Sequence, residues 1–343
     1  MKKFLLKLSY TVLPIWLILV AATGYLTLYV IPQISGDIGR LACIPFGLEY
    51  NKMLEENMKK DIMFRTLHQA EELKGLQTDV LTIGDSFSQQ QYDGYQNYLG
   101  EKGLDVVNCF WRMYESPLQY AYNLLDKNVI DSTRVKTLVL ELVEREFETR
   151  IERFDKNKIE VQRHYSEDAA LPSSDSWSLS RARDYLLYQV GWVTPIYKEK
   201  LDVDLFTSDK PRDLYFFSDD IELGVSILHS DQVKQVYDLL QQKAEEKGIR
   251  LIWLIAADKY DIYQNHIVDN PFPVKTINED IERIVGKSTS LLLTKQCLLP
   301  FIDQGEKDIY MFNDTHWSYK ASKIIADELY QRITRNEGGD YDG

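Results

Sequence analysis

The chain has 343 residues, 44% of them hydrophobic, enough for one large or two ordinary domains with a sizeable core. A formal net charge of −13 argues against a nucleic-acid partner, because neutralising phosphates takes a basic face and no Lys/Arg cluster supplies one. Cys43, Cys109 and Cys297, with His68, His164, His229, His266 and His316, are too scattered for a disulfide framework or a metal site. Neither a metal nor a cofactor is implied, and whether Cys109 and Cys297 pair is open.

In chain order, Lys2, Lys3 and Lys7 precede an uncharged, mostly apolar run from Leu8 to Ile31, longer than the roughly 20 residues a membrane-crossing helix needs. The leading lysines predict a cytoplasmic amino terminus with the rest of the chain on the outer side. A cleaved signal peptide is the alternative, with Ala21-Ala22-Thr23-Gly24 as its site, but apolar residues continue beyond it, which favours an uncleaved signal anchor over 1–35. The Gly- and Pro-punctuated stretch from Gly36 to Tyr50 reads as a linker, and Met53, Leu54, Met58, Ile62, Met63 and Leu67 as the stripe of an amphipathic helix, together filling 36–78.

From 79 to 336 the pattern is that of an α/β domain. Val80–Ile83 is a short buried strand running into Gly84-Asp85-Ser86, followed by a polar helix start or loop at Gln89–Asn97. Leu104–Asn108 is a second strand, Pro117–Leu125 a helix and Val135–Glu141 a third strand; this alternation means parallel pairing through crossover helices. An insertion is expected at about 146–230, with the loop Leu171–Ser176 and a helix near Trp177–Gln189, as a lid, a partner surface or a plain surface excursion. A helix at Gln232–Lys247, a strand at Arg250–Ala256, a helix at Ile277–Val285 and an apolar stretch at Leu291–Leu293 come next. Asp308–Phe312 is read as the last of five strands, Ser318–Arg335 as a closing helix, and 337–343 as a disordered tail.

Chemistry is carried by two short motifs at opposite ends of this domain. Ser86 follows the first strand; Asp314-Thr315-His316-Trp317 follows the last. A serine hydroxyl is a weak nucleophile unless a base takes its proton and a third group orients that base. In an open parallel sheet the strand ends share one rim, so His316 can serve Ser86 as base with Asp314 holding the imidazole. Trp317 reads as a packing residue bracing that turn, with sugar stacking as the lesser option.

Gly84-Asp85-Ser86 with a carboxy-terminal Asp-x-His resembles the SGNH/GDSL hydrolase superfamily. Asp314–Trp317, the strand and Glu-Arg pair Leu138–Arg145, and Asp258-Lys259-Tyr260 are similar to its alginate O-acetyltransferase (AlgJ/AlgX-like) branch. The resemblance implies a flavodoxin-like three-layer SGNH domain with a central parallel sheet, here behind one transmembrane helix. It also implies an acetyl group passing through Ser86 from a carrier or membrane-bound O-acyltransferase to hydroxyls of an exported or cell-surface polysaccharide. The site would then lie outside a bacterial cytoplasmic membrane. Alternatives are a carbohydrate esterase or deacetylase, and a non-catalytic glycan-binding or assembly subunit. The superfamily's second-block glycine and third-block asparagine are absent after Asn108 and Glu141, so besides the Ser86 N–H the oxyanion or substrate donors are sought among Asn108, Arg112 and Arg145, the last with a salt bridge to Glu141 or Glu144 as its structural role.

Overall fold

The computed structural model describes residues 2–50, 52, 61–127, 129–159, 183, 186–188, 190 and 195–335. Its strands are β1 (Arg65–Leu67), β2 (Gln77–Ile83), β3 (Val106–Cys109), β4 (Arg134–Val143), β5 (Ile196–Lys200), β6 (Asp213–Phe217), β7 (Arg250–Ala256) and β8 (Leu291–Leu293). Six of them form one parallel sheet in the order β1-β3-β2-β4-β7-β8. Because side chains alternate along a strand, each strand feeds two cores. Val80, Val106, Val139, Ile252 and Leu292 face the Tyr95–Glu101, Thr294–Asp303 and Tyr319–Thr334 helices. Leu81, Val107, Leu138, Leu251 and Leu291 face the Pro117–Asp126, Ser230–Glu246 and Ile277–Val285 helices. The result is three layers, α/β/α, with both sheet faces covered, as parallel sheets require.

The strand order decides where a ligand can sit. From β2 the chain passes to β3 on one side and then to β4 on the other, so the crossovers diverge above the carboxyl end of β2. Ser86 stands at that point, in a single 3-10 turn over Ser86–Ser88.

Three sequence expectations change here. Residues 61–67 are not helical: the Asn97 side chain accepts from Met63 N (2.5 Å) and donates to Asp61 O (3.1 Å), holding the chain extended so that β1 joins the sheet edge beside β3. Met53, Leu54 and Met58 lie outside the described residues. Asp308–Phe312 adds no strand to the sheet; Tyr310 forms only an isolated antiparallel bridge with Trp317, because Met311 N and Ser318 N donate to His316 O and Ile309 O and the segment folds back on itself. With β1 gained, Leu291–Leu293 paired as β8 and 308–312 lost, the sheet has six strands where five were expected. Gly36–Tyr50 is no loose linker either: Ile38, Ala42, Ile44, Phe46 and Tyr50 are buried in the first of the two cores.

Among its described residues the insertion contains the antiparallel β5–β6 hairpin, whose Ile196, Leu214 and Phe216 join the same core. It begins later than expected, since the Glu144–Glu152 helix packs Phe147 and Ile151 into the opposite core. The Leu171–Ser176 loop and 337–343 lie outside the described residues, as does most of the helix expected at Trp177–Gln189. All three cysteines are free; Cys109 and Cys297 serve opposite faces of the sheet and cannot meet.

Among the described residues one helical stretch, Ser9–Gln33, is long and apolar enough to cross a membrane. Residues 9–23 are all exposed, unlike those of a core helix.

Candidate active site

The turn that carries Ser86 is held from below by a buried acid. Glu141, on β4, accepts from Asp85 N (2.7 Å) and Ser88 Oγ (3.0 Å) through Oε2. Burial, reinforced by the nearby Asp85 carboxylate, pushes the Glu141 carboxyl well above its ordinary range. Tyr114 Oη accepts from Gly84 N (3.0 Å) and donates to Gly84 O (2.8 Å). Asp85 itself reaches sideways, accepting from Val143 N (2.9 Å) and from the Arg150 guanidinium, which pins the turn to the end of β4. Ser86 is thereby left exposed on a rigid support.

The second motif arrives from the far end of the chain. Ser86 Oγ lies 2.7 Å from His316 Nε2, and His316 Nδ1 lies 2.5 Å from Asp314 Oδ1. A carboxylate only accepts, so Nδ1 carries the ring proton and Nε2 is free to accept from the serine hydroxyl. Burial alone would depress the imidazole, but Asp314, with a lesser push from Asp37, holds it above its ordinary value. Burial would likewise raise Asp314, yet His316 and the N–H donors of His316 and Asp37 hold it well below the usual carboxylate range. Phe87 packs against the imidazole at 4.7 Å between ring centroids, and against Trp317 at 4.6 Å. Trp317 is fully buried, with Gln90 Nε2 donating to its carbonyl (2.8 Å), so its ring braces the turn and offers no face to a sugar.

The other expected donors are placed differently. Arg145 is committed to a buried ion cluster, with Nη1 2.5 Å from Asp258 Oδ1 and 3.3 Å from Asp220 Oδ1, while Lys275 Nζ donates to Asp258 Oδ2 (2.6 Å). Its partners are thus carboxylates from the insertion and from the end of β7, neither Glu141 nor Glu144. Arg112 lies in the Trp111–Met113 turn, its guanidinium 5.3 Å from the Trp111 ring centroid. Asn108 is buried, accepting from Thr82 Oγ1 (2.7 Å) and donating to Gln89 Oε1 (3.3 Å), and it lines a cavity of about 100 Å³ walled by Phe64, His68 and Phe110. That cavity adjoins Ser88 and Gln89, on the β1 side of the turn.

Two residues that neither catalytic motif contains hold the Asp314–His316 turn in place. Lys259, fully buried, donates from Nζ to the carbonyls of Met311 (2.6 Å), Phe312 (3.0 Å) and Asp314 (3.0 Å). Burial lowers its pKa to about 7, partly offset by Asp314 and Asp37. Three donors on an ammonium match three carbonyls, and no apolar replacement can supply them. Lys259→Met is expected to cost roughly 2–5 kcal/mol, since each buried carbonyl left unsatisfied carries a desolvation penalty, and chemical denaturation reads it as a lowered midpoint. Asp37 is the other: its Oδ1 accepts from Thr315 N (2.7 Å), and its Oδ2 lies 3.6 Å from His316 Nδ1.

Asp37, Asp314 and His316 place ligand atoms within 4.8 Å of one another, a set able to hold a cation. With Nδ1 bound to Asp314 and Nε2 to Ser86, however, the imidazole is arranged for proton transfer. Comparison of the sequence with protein-family models and with curated proteins finds no match.

Proposed function

We propose that this chain is an SGNH-type O-acetyltransferase held at a membrane by its amino-terminal helix. The observation that carries the reading is the Ser86–His316–Asp314 relay, with contacts of 2.7 and 2.5 Å, at the topological switch point of a parallel sheet. In the first half-reaction Ser86 Oγ attacks the acetyl carbonyl while His316 Nε2 takes its proton. The donor's leaving group then departs with that proton, leaving acetyl-Ser86. An acceptor hydroxyl next attacks the ester, gives its proton to His316, and the proton returns to Ser86. The Ser86 N–H is the first oxyanion donor.

The substrate class rests on the resemblance to the alginate O-acetyltransferase branch: an exported or cell-surface polysaccharide as acceptor, and a membrane-bound O-acyltransferase as acetyl source. Location supports it. Asp37 follows Gln33, the last residue of the apolar stretch, by so short a segment that the chain between them spans at most roughly 14 Å. The site accordingly lies close to the bilayer surface, on the outer side of a bacterial cytoplasmic membrane if the leading lysines set the orientation.

Exposure of Ser86 favours a second reading. Water reaching the acyl-enzyme would make the protein a carbohydrate esterase, since only the second nucleophile differs. The deciding experiment gives the full-length chain in detergent an aryl acetate and an oligosaccharide. Intact-mass spectrometry should find acetyl on Ser86 and the acceptor should gain acetyl, both lost in Ser86→Ala. Cleavage without acceptor acetylation selects the esterase; no cleavage by the wild type leaves a non-catalytic glycan-binding or assembly subunit.

A further inference from the structure

Asp37 belongs to neither motif that carries the proposed chemistry, yet three of its polar groups face the Asp314–His316 turn. Its Oδ1 accepts from Thr315 N (2.7 Å), its own N–H donates to Asp314 Oδ2 (2.9 Å), and its Oδ2 stands 3.6 Å from His316 Nδ1. Independent contacts lock the surrounding segment onto the same turn. Asn313 Nδ2 donates to Ser35 Oγ (2.5 Å), and Phe312 N to Tyr50 Oη (2.9 Å). Gly36, at φ +69°, lies so close that a Cβ there would come within 2.7 Å of the Asn313 carbonyl carbon and closer still to its oxygen. The segment leaving the apolar helix therefore supplies the acceptors for the N–H groups of Phe312 and Thr315.

We propose that Asp37 is a positioning residue of this active site: it fixes the free oxygen of Asp314 and adds a second carboxylate behind His316, so that the segment emerging from the membrane completes the catalytic geometry. This rests on reading Ser86, His316 and Asp314 as a triad. When His316 takes the serine proton the imidazolium faces Asp314 and Asp37, opposed by the cation of Arg145. Asp37 in turn faces Asp314, His316 and the Lys259 ammonium; burial and Asp314 push it up to about 7, so its charge changes near neutrality. The consequence is a link between anchoring and catalysis. Displacing the segment that follows the apolar helix removes a partner of Asp314 along with it.

The test uses the full-length chain in detergent and aryl acetate turnover as a function of pH. Asp37→Asn keeps an acceptor for Thr315 N, removes the charge and replaces the oxygen facing His316 Nδ1 with an NH2. It is expected to lower kcat roughly tenfold with KM for the aryl acetate unchanged, and to move the acid limb of kcat/KM down by about one unit. Asp37→Glu should restore part of both. An Asp37→Asn profile that superimposes on the wild type overturns the proposal. NMR titration of the His316 imidazole in the wild type and in Asp37→Asn needs no turnover: the imidazole pKa should fall by about one unit in the variant, and an unchanged value overturns the proposal. Should the wild type turn over no faster than Ser86→Ala, the triad reading fails, and the titration alone judges whether Asp37 is coupled to His316.

Discussion

Asp314→Asn in the full-length chain is expected to lower kcat for acetyl turnover by about 10,000-fold, close to the effect of removing the base itself with His316→Ala. The reason lies in the donors around Asp314. Its Oδ1 accepts from both His316 Nδ1 (2.5 Å) and His316 N (3.0 Å), and its Oδ2 accepts from Asp37 N (2.9 Å), so each of these three bonds has the carboxylate as acceptor. An amide must turn its NH2 to one side or the other. Turned towards Asp37, it meets an N–H and leaves two donors face to face. Turned towards the imidazole, it makes Nδ1 an acceptor, moves the ring proton to Nε2, and leaves Ser86 with no base. Steady-state kinetics with an aryl acetate check this, and circular dichroism should show a folded chain in both variants. The wild-type acid limb has a defined side as well: His316 must be neutral to act, and its pKa is raised, so kcat/KM should rise with pH through a point above the ordinary histidine value of about 6.5.

The alternation along β2, β3, β4 and β7 is legible in the sequence because each strand is a run of aliphatic and β-branched residues closed by polar or turn residues. The helices at 117–126, 230–246, 277–285 and 319–334 announce themselves by period, and in the structure the side chains of Ser116 and Ser318 cap the first and last of them. β1 was not legible: three residues at a sheet edge carry no period, and what extends the chain before them is the side chain of Asn97, far along the sequence. The reverse error at Asp308–Phe312 has a similar cause, since an apolar stretch can be buried by folding back on Trp317 as well as by joining a sheet. For the site, Ser86 and His316 could be paired from topology alone, because a parallel sheet gathers strand ends on one rim. Asp37 could not. Its stretch is rich in glycine and proline, the usual mark of a linker, and only its contacts with 312–315 reveal a different role. Arg145 shows the opposite failure: an arginine just beyond a strand invites a role at the substrate, but Asp220 and Asp258, which claim it, come from segments whose approach no local pattern predicts.

Gly84→Ala is expected to cost about 3 kcal/mol or more, and with it the geometry of the nucleophile. A Cβ at residue 84 would lie 2.7 Å from Glu141 Cβ and nearer still to Glu141 Oε2 and Ser88 Oγ. Glu141 cannot withdraw, because β4 pairs with β2 through Ile83↔Leu140 and with β7 through Glu141↔Leu254 in the middle of the sheet. Relief must come from the other side, by lifting the Gly84–Ser88 turn. That breaks the bonds from Asp85 N and Ser88 Oγ to Glu141, and it pulls Ser86 away from His316 Nε2. Overpacking of this kind typically costs 1–3 kcal/mol, and buried polar groups left unpaired add to it. Ser88→Ala separates the contributions, since it removes one of the atoms that a Cβ would strike. In a double-mutant cycle Gly84→Ala should therefore cost less in the Ser88→Ala background than in the wild type, while the contact with Glu141 keeps a residual penalty. Denaturant midpoints measure all four proteins. If Gly84→Ala leaves both the midpoint and acetyl turnover at wild-type values, then the turn beneath Ser86 is not held by Glu141, and the rigidity ascribed to the nucleophile has another source.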